Sequence, residues 1–226
     1  MDEAARWASE GAPHGALVVA EAQAAGRGRH GRTWAGAPGQ SLLFTLVLHP
    51  TLPPDRAGLV PLAAGVAVAE AVAGLGVEAT LKWPNDVRVG GRKLAGVLVE
   101  ARARRVLVGV GMNVGQAGFP PEIAEAATSL RLETGQPVDR LAPLSPILER
   151  LAERLAEAET QPAALIAAVA ARMEGLGSTV DVRDPATGQP LHRGIVLGLA
   201  PDGALRLAAE AGEVAVYAGE VTLAPP

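Results

Sequence analysis

Gly90-Gly91 is the feature that most limits what this chain can fold into. Adjacent glycines supply the positive backbone angles of a two-residue hairpin turn, and here they separate two runs, 86–89 and 93–101, rich in Val and Leu. An antiparallel pair is therefore expected, with a sheet around it. Further strands are predicted at 16–22, read as buried, and at 42–48, 77–81 and 106–112. Helices are predicted at 2–10, 58–74, 139–158 and 161–174, with Pro162 breaking the last two apart. Past Gly175-Leu176-Gly177 the texture changes to short β runs at 179–183, 193–199, 204–208, 214–217 and 221–223. Turns such as Pro185-Ala186-Thr187-Gly188 and Pro201-Asp202-Gly203 separate them, which predicts a small barrel. The expectation is an α+β protein: a mixed sheet flanked by helices in a domain at 1–176, and the barrel at 177–226.

Composition removes several function classes. With 226 residues, 49% of them hydrophobic, the chain can bury a sizeable core. A formal charge of −4 gives no global basic field, so no nucleic-acid partner is expected. The absence of cysteine excludes disulfides, thiolate zinc sites and a Cys nucleophile. His14, His30, His49 and His192 lack metal-ligand spacing. The start, Met1-Asp2-Glu3, does not follow the basic-then-apolar order of a secretion signal. The apolar stretch 58–69 contains Pro61 and stops at Glu70, short of the roughly 20 residues of a membrane span. A cytoplasmic enzyme with no membrane partner is the expectation.

Of the 20 Lys and Arg residues only two are lysines, Lys82 and Lys93. A chain that uses arginine everywhere else keeps a compact ammonium at two nearby places, as if a guanidinium fork would not serve there.

Gly26-Arg27-Gly28-Arg29-His30-Gly31-Arg32 formally matches G-x-G-x-x-G. A dinucleotide fold would need a helix to start at the third glycine, and Thr33-Trp34-Ala35-Gly36-Ala37-Pro38-Gly39 cannot form one. A kinase loop would sit between strands as this one does, yet the H-R-D and D-F-G segments are missing. What is left is a glycine loop whose amides and whose Arg27, Arg29 and Arg32 can close over a carboxylate or phosphate; the alternative is a solvated basic loop. In Lys82-Trp83-Pro84-Asn85-Asp86 and Arg92-Lys93-Leu94-Ala95-Gly96, Lys93 stands just past the hairpin turn among apolar strand residues. An ammonium there can meet a substrate anion in a partly desolvated site, and Ala95-Gly96 lets a flat ligand lie close to the strand. Asn85 and Asp86 can hold a magnesium ion or a hydroxyl. An ordinary surface lysine is the plain alternative.

Four ordered segments, Gln23 to Trp34, Lys82 to Asp86, Arg92 to Gly96 and Gly109-Val110-Gly111-Met112-Asn113, together resemble the catalytic domain of biotin protein ligases. The resemblance covers nearly the whole chain. It implies a class II aminoacyl-tRNA-synthetase-like domain followed by a Src-homology-3-like barrel. It also implies activation of biotin by Mg-ATP to biotinyl-5′-AMP and transfer to a lysine of a biotin carboxyl carrier protein domain, such as that of acetyl-CoA carboxylase. By the same resemblance Gln23, Gly26, Arg27, Gly28, Arg29, Lys93 and Gly96 hold biotin, with Lys93 and Arg29 acting on the reacting groups. Arg29, Arg32, Trp34, Lys82, Asn85 and Asn113 line the nucleotide side, Asp86 is a magnesium candidate, and a homodimer is possible through the central sheet.

Three departures from the family pattern carry expectations of their own. Members carry a Ser-Thr pair that touches biotin just before a segment similar to Asp2-Glu3-Ala4; the sequence starts past it, which predicts a later or truncated start and weaker biotin binding. His30 replaces a common arginine and is expected to alter salt or pH response. No helix-turn-helix segment precedes the catalytic part, so no repressor role is expected. The nearest rival, a lipoate or octanoate ligase, is marked by an Arg-Arg-x-Ser-Gly-Gly-Gly segment that this sequence lacks. A non-catalytic biotin or nucleotide sensor is the alternative of a different class.

Overall fold

Ser41–Leu48 (β2) buries all eight of its residues, which requires cover on both faces of the sheet it joins. In the computed structural model, residues 1–23, 26–28, 31, 34, 36, 38–49, 51–102 and 105–224 are described. Around β2 run α1 (Asp2–Ser9), β1 (Ala16–Ala20), α2 (Leu59–Ala73), β3 (Thr80–Lys82), β4 (Asp86–Val89), β5 (Arg92–Arg102) and β6 (Arg105–Asn113). The strands form a six-stranded sheet in the order β1-β2-β6-β5-β4-β3. Every pairing between these strands is antiparallel. The parallel component of the expected mixed sheet is confined to two isolated bridges, Leu81 with Met173 and Lys93 with Ala127. Short connections explain this for β3 to β6, since consecutive strands joined by tight turns run in opposite directions.

One face of the sheet carries Leu42, Phe44, Leu46, Leu48, Val108, Val110 and Met112, which belong to the main buried cluster with α2. Helix α2 is apolar on all sides because it is covered on all sides: α4 (Leu144–Thr160) and α5 (Pro162–Ala170) lie against it. With the turn before it, the stretch Pro54–Ala73 is 20 residues long and apolar enough by length and composition to cross a membrane, longer than the apolar run read from the sequence. Here it is the central core helix. Arg154 clamps it to α4, its guanidinium 2.8 Å from Glu70 at α2 and also paired with Glu157. The other face of the sheet is covered by α1 at one end only, where Ala4 and Ala8 pack on Val47 and Leu107. Beyond α1, no helix among the described residues covers that face, although Leu43 and Thr45 on it are buried.

Several boundaries differ from the sequence reading. The 16–22 run, expected to be a buried strand, is the shorter β1 at the sheet edge, with Val19 40% exposed. Apolar composition alone cannot separate an edge from a centre. The third predicted helix starts at Leu144 behind Pro143. A five-residue helix, α3 (Leu130–Thr134), capped by the Ser129 side chain on the Leu132 amide, went unpredicted because it is too short to show periodicity.

The C-terminal strands β7 (Thr179–Arg183), β8 (Pro190–Leu199), β9 (Leu205–Ala209), β10 (Gly212–Val216) and β11 (Glu220–Leu223) form an antiparallel sheet in the order β10-β9-β8-β7-β11. β10 and β11 stand at opposite ends of that order, so the predicted barrel is found as a five-stranded sheet. It docks on the larger unit through its 200–204 turn. Gly58, just before α2, lies so close to Asp202 that a Cβ there would sit 2.8 Å from the Asp202 carbonyl oxygen. Beside it the buried Trp83 indole N–H donates to the Gly203 carbonyl at 3.0 Å. Trp83→Phe keeps most of the buried ring but orphans that carbonyl, and is expected to lower unfolding free energy by about 1–3 kcal/mol in urea titrations. An unaltered midpoint would mean the bond holds nothing.

Candidate active site

The open part of the sheet face is floored by glycine. Along β6, Gly109 and Gly111 point to this face while Val108, Val110 and Met112 point to the core. Gly111 is the cross-strand partner of Gly96 in β5. The Trp34 indole lies on the pair: a Cβ built on Gly111 would be 2.9 Å from the Trp34 ring, and one on Gly96 would be 3.3 Å from it. Only glycine lets an aromatic ring approach the strands so closely. The Trp34 indole nitrogen is buried with no partner, a donor that a bound oxygen could satisfy.

Above this floor is a cavity of about 460 Å³, the size of a small-molecule site. Gln23, Arg27, Gly28, Trp34, Lys82, Asn85, Asp86, Lys93 and Gly96 all line it. Residues with no relation in sequence distance thus share one cavity, and both lysines of the chain are among them. Gly26 lies alongside; a Cβ there would collide with the Trp34 carbonyl oxygen, so the close approach of the loop to itself requires glycine. Arg29, Arg32 and His30 lie outside the described residues. Asn113 does not line the cavity. Its side chain is 4% exposed, donates to the Thr128 carbonyl at 3.0 Å, and accepts from Gln116 at 3.1 Å.

Lys93 reaches the cavity from the start of β5, where a register shift between Val87 and Arg88 sets it opposite Arg88. Its Nζ is 2.7 Å from Asp86 Oδ1 and 5.6 Å from the centre of the Trp34 ring, with 35% of the side chain exposed. A half-buried ammonium held between a carboxylate and a π face is aimed rather than free. Arg27 pairs with Asp2 in the same way. Both members of that pair are substantially exposed, so it is weak and a stronger anion can displace it. Lys82 is different in kind: burial, reinforced by nearby Arg88, holds its ammonium below the ordinary lysine value, against the opposing pull of Asp86, Glu220 and Glu174. Asn85 is fixed by its amide donating to the Val97 carbonyl at 2.8 Å. Among the described residues no group of three acidic or histidine side chains forms a metal cluster, and Asp86 is occupied by Lys93.

Sequence reasoning missed part of this wall. Gly109 and Gly111 were within a recognised motif, and the signal was there in their spacing, two glycines at the same-face period of a strand. Met1, Asp2 and Glu3, of the segment that the resemblance sets next to a biotin-contacting pair, also line the cavity; so do Pro185, Gly219, Glu220 and Val221 of the C-terminal part, which nothing local in the sequence marks.

The motif order and this geometry can be set against known proteins. The model of the biotin/lipoate A/B protein ligase family matches residues 3–116, and that of the biotin protein ligase C terminal domain matches residues 175–223. The chain belongs to the biotin/lipoate A/B protein ligase family. Within it, the chain is similar to the biotin-acetyl-CoA-carboxylase ligase of Mycobacterium tuberculosis, 41% identical over 97% of this chain and 83% of the relative. It is also similar to the bifunctional ligase/repressor BirA of Bacillus spizizenii, 34% identical over 96% of this chain and 68% of the relative. Among solved structures, the biotin protein ligase from Aquifex aeolicus in complex with biotin and ATP superposes with a TM-score of 0.86 at 31% identity, covering 98% of this chain and 94% of that one. Family membership thus coincides with the cavity: the matched segment 3–116 contains every strand of the sheet that floors it.

Proposed function

We propose that this chain is a biotin protein ligase that activates biotin with ATP to biotinyl-5′-AMP and passes the biotinyl group to a lysine of an acceptor protein. The observation that carries the reading is the convergence of Lys93, Lys82 and Arg27 on one cavity over the Gly96–Gly111 floor, in a chain of this family. In the first step the biotin carboxylate attacks the α-phosphorus of ATP and pyrophosphate leaves. Two anions must meet, and their repulsion is the barrier that fixed cations offset. Lys93 would exchange Asp86 for the carboxylate and the α-phosphate. Lys82 would face the nucleotide phosphates, with Trp34 between the two substrates and Arg29 and Arg32 closing from the loop. In the second step the acceptor amine attacks the anhydride carbonyl and AMP leaves, so no enzyme nucleophile is required. Magnesium would enter on the nucleotide, as the phosphate-bound ion usually needs only one or two protein carboxylates; Asp86 is the residue to share it, and the ion would neutralise phosphate charge.

The acceptor is proposed to be a biotin carboxyl carrier domain, and the larger unit and C-terminal sheet to follow the class II synthetase-like and Src-homology-3-like plans. A cytoplasmic location and a homodimer through the central sheet complete the reading. Incubation with biotin, ATP and a carrier domain should add one biotinyl group to the carrier by intact mass; lipoate used in preference, or binding without turnover, would replace the reading.

Lys82 gives a pH signature. Its pKa is lowered in the free protein, and an adjacent polyphosphate would raise it again, so nucleotide binding should take up a proton at alkaline pH. Affinity should accordingly fall as pH rises through the free-state value. Calorimetry in buffers of different ionisation enthalpy should detect that uptake, and Lys82→Met should abolish it; the same uptake in the variant would assign the proton elsewhere.

A further inference from the structure

Five of the six buried polar residues among the described ones, Ser41, Asn113, Gln116, Thr128 and Ser129, stand together beside the cavity, yet none of them lines it. Burying polar groups is costly unless they are bonded to one another, so such a cluster has to be explained by what it holds. Gln116 donates to Ser41 at 2.7 Å and to Asn113 at 3.1 Å, and Ser129 donates to the Gln116 carbonyl at 2.6 Å. Asn113 in turn donates to the Thr128 carbonyl at 3.0 Å. The Thr128 hydroxyl donates to Glu133, which also accepts from Arg92 at 2.8 Å.

What the cluster holds is the backbone of Lys93. The Lys93 N–H donates to the Ala126 carbonyl at 2.7 Å, and the Thr128 N–H donates to the Lys93 carbonyl at 2.9 Å. Residues 126–128 thereby make a parallel bridge centred on Lys93 and Ala127. Without that strap, Lys93 would be the second residue of a strand, next to a register shift and a two-glycine turn, where backbone bonds are weakest. The strap turns a fraying strand end into a fixed one.

We propose that Thr128 is a positioning residue for the ligase reaction: bonded through its hydroxyl to Glu133 and through its carbonyl to Asn113, it locks the 126–128 strap onto the Lys93 backbone and so aims the Lys93 amine at the reacting carboxylate. The proposal rests on the ligase reading, because only there does the amine meet a substrate. Thr128 does not itself line the cavity and acts through Lys93 alone. Its effect belongs to kcat, since a loosened amine costs transition-state alignment more than nucleotide binding.

The test is a double-mutant cycle on biotin-dependent pyrophosphate release. Thr128→Val keeps the shape and removes the hydroxyl; it is expected to lower kcat about tenfold or more with KM for ATP unchanged, and Thr128→Ser to restore it. In the Lys93→Ala background Thr128→Val should produce no further loss. An equal loss in both backgrounds, or none in either, overturns the proposal while leaving the ligase reading intact. A parent protein that releases no pyrophosphate overturns both. Should Thr128→Val fail to fold, amide hydrogen exchange of the parent decides: Lys93 and Thr128 amides are expected to exchange as slowly as those in the middle of β5, and exchange at loop rates overturns the strap.

Discussion

Lys93→Ala is expected to cut biotin-dependent pyrophosphate release by about two orders of magnitude or more, the usual range for losing one preorganised charge contact at a reacting centre. Three features make the loss large. The ammonium is half-buried, so its field is poorly screened, and it is held by Asp86 at 2.7 Å and by the Trp34 ring at 5.6 Å before any substrate arrives. No neighbour can replace it: Lys82, the other lysine of the chain, is anchored on a different strand end, and Arg27 is on the loop. The substitution should leave the fold unaltered, because the Lys93 backbone bonds do not involve the side chain. The measurement is a coupled pyrophosphate assay with thermal unfolding as a control. Turnover near the parent rate with an unchanged melting temperature would remove Lys93 from the chemistry, and with it the ligase mechanism given above.

Gly111→Val should lower biotin affinity by about tenfold to a hundredfold, equivalent to the roughly 1–3 kcal/mol that forced overpacking costs in a fitted space. A Cβ at this position already sits 2.9 Å from Trp34, too close for the ring to stay, and the two methyl groups beyond it would push that ring toward the cavity that biotin is proposed to occupy. The strand itself should tolerate the change. Gly111 pairs regularly with Leu43 and Gly96, and valine suits a strand better than glycine does. Binding and stability are thus predicted to move apart, with titration calorimetry showing weakened biotin binding while urea unfolding stays at or above the parent value. Unchanged affinity would mean that ligand does not use the glycine floor. Gly109→Val is the natural companion, since a Cβ at that position would stand 3.2 Å from the Met1 sulfur rather than the Trp34 ring.

Much of the site was legible because the residues that carry chemistry are clustered in short segments. A Gly/Arg loop, a lysine beside a two-glycine turn and a second lysine before Trp83-Pro84 are local statements, and each residue type is dictated by what it must do to an anion. The sheet was legible for a similar reason: Gly90-Gly91 and the apolar runs around it leave few alternatives to an antiparallel pair. Less legible were features whose meaning depends on a distant partner. Nothing local in 16–22 tells an edge from an interior strand, and nothing in Glu220 or Pro185 predicts that the C-terminal sheet contributes to the cavity wall. Asn113 shows the limit most clearly. Its motif was recognised, but only the packed structure reveals its amide turned inward to Thr128 and Gln116.

By itself, then, the sequence determined the elements, the order of the motifs and the kind of ligand they suit, because propensity, turn chemistry and charge type act over a few residues at a time. Only the tertiary structure decided that Gly96 and Gly111 lie side by side under Trp34, that Asp86 receives the Lys93 amine, and that a strap from beyond β6 fixes the backbone of Lys93. Those facts are set by strand register and by hydrogen bonds between segments far apart in the chain, where a shift of one residue would turn every side chain to the opposite face.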